Sequence, residues 1–357
     1  MNREKTLDYL RGFAIFQTIL VHILYWFGLF NYSYFSIVKS FLLFEMPIFF
    51  FVTGAVNSLT HQYTYKSFCL KRIKSIIVPY YFYSTICVLL SGFYYFFQKK
   101  LSLELFTKIL LSWIFPINLQ ISPIPYLNYA LWFIPVYIIT ILIFPLIKSI
   151  ILKYEEKIII GLILLFIYTE YIYFLLILKM NLYSLCNILN IVQQVVFYLI
   201  FIGLGILYPK LKLRNKKNMI ITKSILLFST LGLLISNFVF SSSIDMQKNK
   251  FPPNHMFMFF SFMVLSIFYI LKPMLHKIYN KLSKLIPLLD DFILFLSKNS
   301  LHVFLYQSFS FLIINIFIEA LGLENDLLIF CFSFITAYPL TYLIIKIINV
   351  IKDSRHA

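Results

Sequence analysis

Charge is what this sequence has least of. Asp, Glu, Lys and Arg together make up 13% of its 357 residues, where a soluble domain carries about a quarter. Glycine is also sparse, at nine residues, and cysteine is limited to Cys69, Cys87, Cys186 and Cys331. These four form no C-x-x-C pair and no ligand spacing, which argues against a zinc module or a disulfide framework. The expectation is four helix-packing thiols and no metal. No low-complexity tail, internal repeat or long polar linker interrupts the chain, so an appended soluble domain is not expected; the whole of 1–357 reads as one membrane domain.

What the sequence does have is apolar bulk. It is 61% hydrophobic, with 41 Phe and 26 Tyr, and its mean hydropathy is +0.86. A water-soluble fold of this length has too little polar surface to cover so many large apolar side chains. A bilayer removes that difficulty, and only helices or closed barrels satisfy their backbone hydrogen bonds there. The apolar runs are about 20 residues long and lack period-2 alternation, which selects helices. The formal net charge of +17 does not point to nucleic acid. Its lysines lie between the apolar runs, where cationic loops meet an anionic leaflet. The N-terminal MNREK followed by an apolar run resembles a signal peptide, but the run continues to residue 30 without a small-residue cleavage site. It is expected to be a retained first span.

The expected fold is therefore an all-α, polytopic transmembrane helical bundle. Ten spans are predicted, at 7–30, 35–59, 73–97, 129–147, 158–178, 188–208, 219–240, 255–271, 301–321 and 327–347. An amphipathic stretch, 101–115, is too short to cross and reads as an interfacial or re-entrant segment. With a cytoplasmic N-terminus, most Lys and Arg fall in inside segments, while the last outer loop holds Glu319, Glu324 and Asp326 with no base. Both termini are thus expected to be cytoplasmic, in a multi-pass protein of the inner or plasma membrane.

Ionisable groups inside apolar spans are expensive, so they are the first candidates for chemistry. The first span holds Arg11 and His22. Eleven residues make about three helical turns, which places both on nearly one face with His22 about 16 Å further along the axis. Arg11 can receive a phosphate and His22 can remove a hydroxyl proton near neutral pH. The plainer reading is a snorkelling arginine and a histidine satisfied by a neighbouring helix. KRIKSIIVP, which leads into the third span, offers Arg72 and Lys74 as phosphate-binding cations or as ordinary membrane anchors. Glu45 in FEMPIFFFVTG is either a cavity group or an interfacial one. In NYALWFIPVY, Asn128 brings polarity and Trp132 an interface anchor to the fourth span. His302 and Gln307 in the ninth span can hydrogen-bond a substrate or act as polar glue between helices. KFPPN (250–254) is a stiff lead-in to the eighth span.

Taken in order, these segments resemble the acyltransferase-3 family of membrane acyltransferases. LDYLRGFAIFQTILVH resembles its opening motif, with Asp8, Arg11, Gly12 and then His22. FFFVTG resembles its F-F-x-x-S-G pattern with Thr53 for Ser, and KRIKSIIVP its R-x-x-R-x-x-x-P with Lys74 at the second base. LWFIP, KFPP and NSLHVFLYQ are also similar to family segments. Two positions depart from the family pattern. Many relatives carry His where Gln307 stands, and in the fucose-acetylase-like branch the residue before Met-Pro is often His, here Glu45. The resemblance implies transfer of an acetyl or other short acyl group from acetyl-CoA or a related acyl-CoA. Arg11, Arg72 and Lys74 would hold the nucleotide phosphates, and His22 would act as general base or acyl carrier beside Arg11. Glu45, Asn128, Trp132 and Gln307 would face the acceptor. Expected partners are the acyl-CoA, a lipid-linked or polymeric glycan and membrane lipid, with no nucleic acid. The competing readings are a glycan flippase or O-unit polymerase, and a purely structural membrane subunit.

Overall fold

In a computed structural model the described residues are 5–27, 35–59, 64–114, 124, 126, 127, 129–180, 183–211, 215–240 and 242–353. Of the described residues 88% are helical, and none forms a strand. In chain order the helices are α1 (Lys5–Trp26), α2 (Phe35–Leu42), α3 (Glu45–Leu59), α4 (Tyr65–Phe97) and α5 (Leu103–Ile114). After a 3-10 turn at Tyr129–Trp132 come α6 (Phe133–Tyr154), α7 (Glu156–Met180), α8 (Tyr183–Ile206) and the short α9 (Tyr208–Leu211). The last five are α10 (Lys216–Phe240), α11 (His255–Leu285), α12 (Leu288–Lys298), α13 (Ser300–Ala320) and α14 (Asp326–Asp353). Among the described residues ten segments are long and apolar enough to cross a membrane, as the apolar runs require.

The bilayer explains which side chains stay uncovered. Only 11% of the apolar window of α10 is buried by protein, and Phe238 is 79% exposed. In water such a face would be untenable; against acyl chains it is at home.

The boundaries shift from the sequence reading where chemistry other than hydropathy decides. The second run is broken: Leu43 and Phe44 form a turn and α3 restarts at Glu45. Pro47 has no N–H for the Leu43 carbonyl, so a continuous helix would leave that carbonyl unmatched. α4 starts at Tyr65, well before residue 73, because Thr64 caps it through the Ser67 N–H and the KRIK segment has good helix propensity. α11 likewise runs on to Leu285, and α12 is an amphipathic helix in what reads as a loop.

The chain divides into two compact units. The first comprises Met1–Gln17, Tyr32–Gln62 and Leu142–Lys298. Its centre is α3 against α8, with α7 on α8 and α10 on α11. Two glycines set the α3–α8 approach. A Cβ on Gly54 would meet the Ile202 carbonyl oxygen at 2.2 Å, and one on Gly205 the Phe51 oxygen at 2.1 Å. The FFFVTG motif is thus a close-packing device, in the manner of small residues at membrane helix contacts. Thr53 turns its hydroxyl back to the Phe49 carbonyl at 2.9 Å. Gly12 plays the same part in the opening motif, where an added Cβ would stand 2.2 Å from the Ile293 oxygen of α12. Replacing Gly54 with Val is expected to destabilise by at least the about 1–3 kcal/mol typical of overpacking. Gly161→Ala, where a Cβ meets nothing within 4 Å, should be neutral; thermal unfolding in detergent compares the two.

The second unit comprises Thr18–Asn31, Tyr63–Ile141 and Asn299–Ala357. It pairs α13 with α14, α5 with α4, and α13 with α4. α5 does not cross. The Tyr80 hydroxyl, halfway along the 33-residue α4, donates to the Trp113 carbonyl at 2.6 Å, and the Tyr83 hydroxyl donates to the Leu127 carbonyl at 2.6 Å. The C-terminal end of α5 and the chain after it are therefore tied to the middle of a spanning helix. These two hydrogen bonds fit either the interfacial or the re-entrant reading of 101–115.

Candidate catalytic site

The end of α1 and the middle of α13 meet inside the second unit. His22 Nδ1 lies 3.2 Å from Gln307 Oε1. Gln307 is fully buried, and its Nε2 donates to the Phe304 carbonyl at 2.9 Å. With the amide held this way its oxygen can only accept, so His22 Nδ1 carries the proton. A neutral imidazole held this way has its lone pair on Nε2.

Aromatic rings hold that imidazole in place. Trp26, one turn further along α1, stacks on His22 at 5.0 Å between centroids and 14° between planes. Phe311, one turn beyond Gln307 on α13, meets His22 edge-on at 6.4 Å and Trp26 at 4.9 Å. Tyr126 lies tilted against Trp26 at 5.2 Å and donates its hydroxyl to Asn315 Oδ1 at 2.9 Å. Asn315 Nδ2 in turn donates to Glu319 Oε1 at 2.6 Å. Burial, and secondly the Glu319 charge, push the Tyr126 phenol above its ordinary pKa, so it stays a neutral donor.

The other candidates lie elsewhere. Arg11 is half-buried on the part of α1 that belongs to the first unit. Arg72 and Lys74 sit in the early turns of α4 in the second unit; Arg72 is half-buried with its guanidinium 5.6 Å from the Phe68 ring centre, and Lys74 is exposed. Trp132 closes the 3-10 turn before α6, half-buried and edge-on to Phe133 at 6.2 Å. Asn128 lies outside the described residues. His302 stacks on Tyr306 at 6.1 Å rather than on His22. Among the described residues no three His, Cys, Asp or Glu side chains gather to hold a metal ion.

Glu45 occupies a separate polar cluster in the first unit. Its Oε1 forms a buried ion pair with Lys250 Nζ at 2.6 Å, the side chains being 3% and 6% exposed. The KFPPN segment is fastened further by Gln193 Nε2, which donates to the Pro253 carbonyl at 2.6 Å, and by Asn254, whose side chain caps α11 at the Phe257 N–H. Next to it His255 Nδ1 meets Glu170 Oε1 at 2.7 Å. The sequence reading missed Trp26, Tyr126, Asn315 and the Glu45–Lys250 pairing. Trp26 alone had a local signal, its i,i+4 spacing from His22; the others depend on residues far apart in the chain.

The family described as an acyltransferase domain matches residues 4–346, nearly the whole chain and both units. Neither the curated proteins nor the solved structures contain a match.

Proposed function

Because the chain belongs to the acyltransferase-3 family, and so is a multi-pass membrane acyltransferase, we propose that it moves an acetyl or other short acyl group from acyl-CoA to a sugar hydroxyl. The acceptor in this reading is a surface polysaccharide or a lipid-linked sugar at the inner or plasma membrane. The observation that carries the proposal is the His22–Gln307 hydrogen bond, in which the buried amide takes the Nδ1 side of an imidazole set in an apolar helix. His22 Nε2 takes the proton of the acceptor hydroxyl as its oxygen attacks the thioester carbonyl. The carbon–sulfur bond breaks, and the departing CoA thiolate recovers that proton from the imidazolium. Arg11, on the same helix and about 16 Å back along its axis, is a donor-phosphate group in this reading; Arg72 and Lys74, in the second unit, are separate candidates for that role, and both termini are cytoplasmic. Trp132 and Asn128 belong to the acceptor side. A flippase or polymerase would need none of this chemistry, and nothing in the geometry favours either.

Mass spectrometry of surface glycans from cells with and without the gene tests the reading. Loss of acetyl ester from a glycan repeat is expected, and an unchanged acetylation pattern would sink it. Gln307 is a positioning residue in this scheme. Gln307→Leu removes the acceptor of the His22 Nδ1–H, a loss of about 1–3 kcal/mol for a buried donor. Transfer should fall about tenfold or more in kcat while the KM for acetyl-CoA holds, read by steady-state kinetics on the purified protein.

A further inference from the structure

Helix α11 is longer than the membrane it crosses. Its 31 residues extend about 46 Å, against about 30 Å of hydrocarbon. About eleven residues therefore stand outside the hydrocarbon. Charge puts them at the C-terminal end, because Lys272, Lys277, Lys281 and Lys284 all follow the apolar run. Pro273, which has no N–H to give the helix, marks the change. At 3.6 residues per turn the projecting part has three faces. Lys277, Lys281 and Lys284 fall in one row, and Met274, Ile278, Leu282 and Leu285 in another about a quarter-turn away. Tyr279 lies opposite the lysines, where its hydroxyl donates to Asp290 of α12 and its ring meets Tyr9 of α1 at 4.9 Å. That third face is the one protein holds, since α12 is seated beside it through the buried Ile293 and Leu296.

The other two rows are exposed along their whole length, and the apolar one continues into Ile286 and Leu288, the latter 74% exposed. All of this lies in the first unit. A row of bare isoleucine and leucine is costly in water, and a row of bare lysines is costlier among acyl chains. The headgroup layer suits both, with the apolar row in the acyl boundary and the ammonium groups at the phosphates. Charge then selects the headgroup. No Asp or Glu occurs from His255 to Leu289, and the Asp290 carboxylate is turned to Tyr279, away from the lysine row. Asp291, at the start of α12, is the other acid of the elbow. Among the described residues Lys277, Lys281 and Lys284 make no ion pair. A zwitterionic headgroup carries its own cation, whereas an anionic one brings the net negative charge this row lacks.

We propose that the projecting end of α11, with its elbow into α12, is a docking surface for the headgroups of anionic phospholipid. The surface stands whether or not the chain transfers acyl groups. The test is a titration of the purified full chain in detergent with phosphatidylglycerol or phosphatidylcholine, followed by native mass spectrometry. A saturable step with phosphatidylglycerol is expected, at least tenfold tighter than any with phosphatidylcholine. Lys277→Gln, Lys281→Gln and Lys284→Gln together should weaken that step about 10- to 100-fold, at up to about fivefold per lysine. Lys216→Gln with Lys217→Gln, an exposed basic pair at the start of α10, should leave it unchanged. Ile278→Gln with Leu282→Gln keeps every charge and should still weaken binding severalfold, because the apolar row is part of the surface. These positions are exposed, so all the variants should unfold at the parent's temperature in phosphatidylcholine. The surface is overturned if the two lipids bind alike, or if the triple variant keeps the step. It is equally overturned if the α10 pair matters as much, which would make the effect one of net charge. Displacement of the lipid by equimolar inorganic phosphate or acetyl-CoA would also overturn it, in favour of a site for soluble anions.

Discussion

His22→Ala is expected to lower acyl transfer by about 10²- to 10⁴-fold, the usual contribution of a positioned general base. The measurement is label transfer from acetyl-CoA by the purified protein to its glycan acceptor. The size of the effect follows from the arrangement around the ring. Gln307 engages Nδ1 while Trp26 and Phe311 fix the plane of the ring, so the base role falls to Nε2. Alanine also leaves the buried Gln307 oxygen without its donor, worth about 1–3 kcal/mol of stability, so lost activity could reflect a loosened bundle. His22→Asn separates the two effects. Its amide can still donate to Gln307 but has no base to offer, so the protein should keep its unfolding temperature and still be inactive. Normal transfer by the Asn variant would eliminate the general-base step. Single-turnover mixing with acetyl-CoA then distinguishes base from acyl carrier: a base leaves the intact mass unchanged, whereas a carrier gains an acetyl group that His22→Asn cannot accept.

The parts of this molecule that were legible in the sequence are those written in local composition. Ten apolar runs of spanning length demand ten helices whatever their neighbours are. His22 stood out because an imidazole inside LVHIL must be accounted for, and 101–115 declared itself non-spanning by length. Helix ends were less legible, since Thr64 and Pro47 act through single hydrogen bonds that a hydropathy window averages away. The partners were not legible at all. Gln307 is 285 residues from His22 and Lys250 is 205 from Glu45. No periodicity carries such pairings, because they are products of tertiary packing. The familiar glycines were visible as motif letters, but their reason, a carbonyl oxygen of another helix 2.2 Å from where a Cβ would stand, belongs to the packed helices.

Lys250→Met should be the most damaging single change outside the catalytic site. It strands the Glu45 carboxylate, 3% exposed, at a helix start packed among apolar residues. Breaking a buried pair by removing one partner typically costs about 3–5 kcal/mol, more than the pair itself contributes, because the orphaned charge has lost its water as well as its partner. Glu45→Met takes the carboxylate from the buried Lys250 ammonium, which still has the Phe251 ring at 5.6 Å. The double variant removes both charges together, and should recover stability to within about 1 kcal/mol of the parent or exceed it. Denaturation in detergent of the parent, both singles and the double closes that cycle. The ion pair joins α3 to the KFPPN segment, whose other fastenings, Gln193 to Pro253 and the Asn254 cap, do not depend on charge. The double variant should therefore keep acyl transfer as well as stability. Recovery of stability with transfer still lost would give Glu45 a part in transfer, its second carboxylate oxygen being a buried acceptor with no hydrogen-bond partner among the described residues. The geometry favours the first outcome, in which the charges serve to seat KFPPN on α3 in a single register.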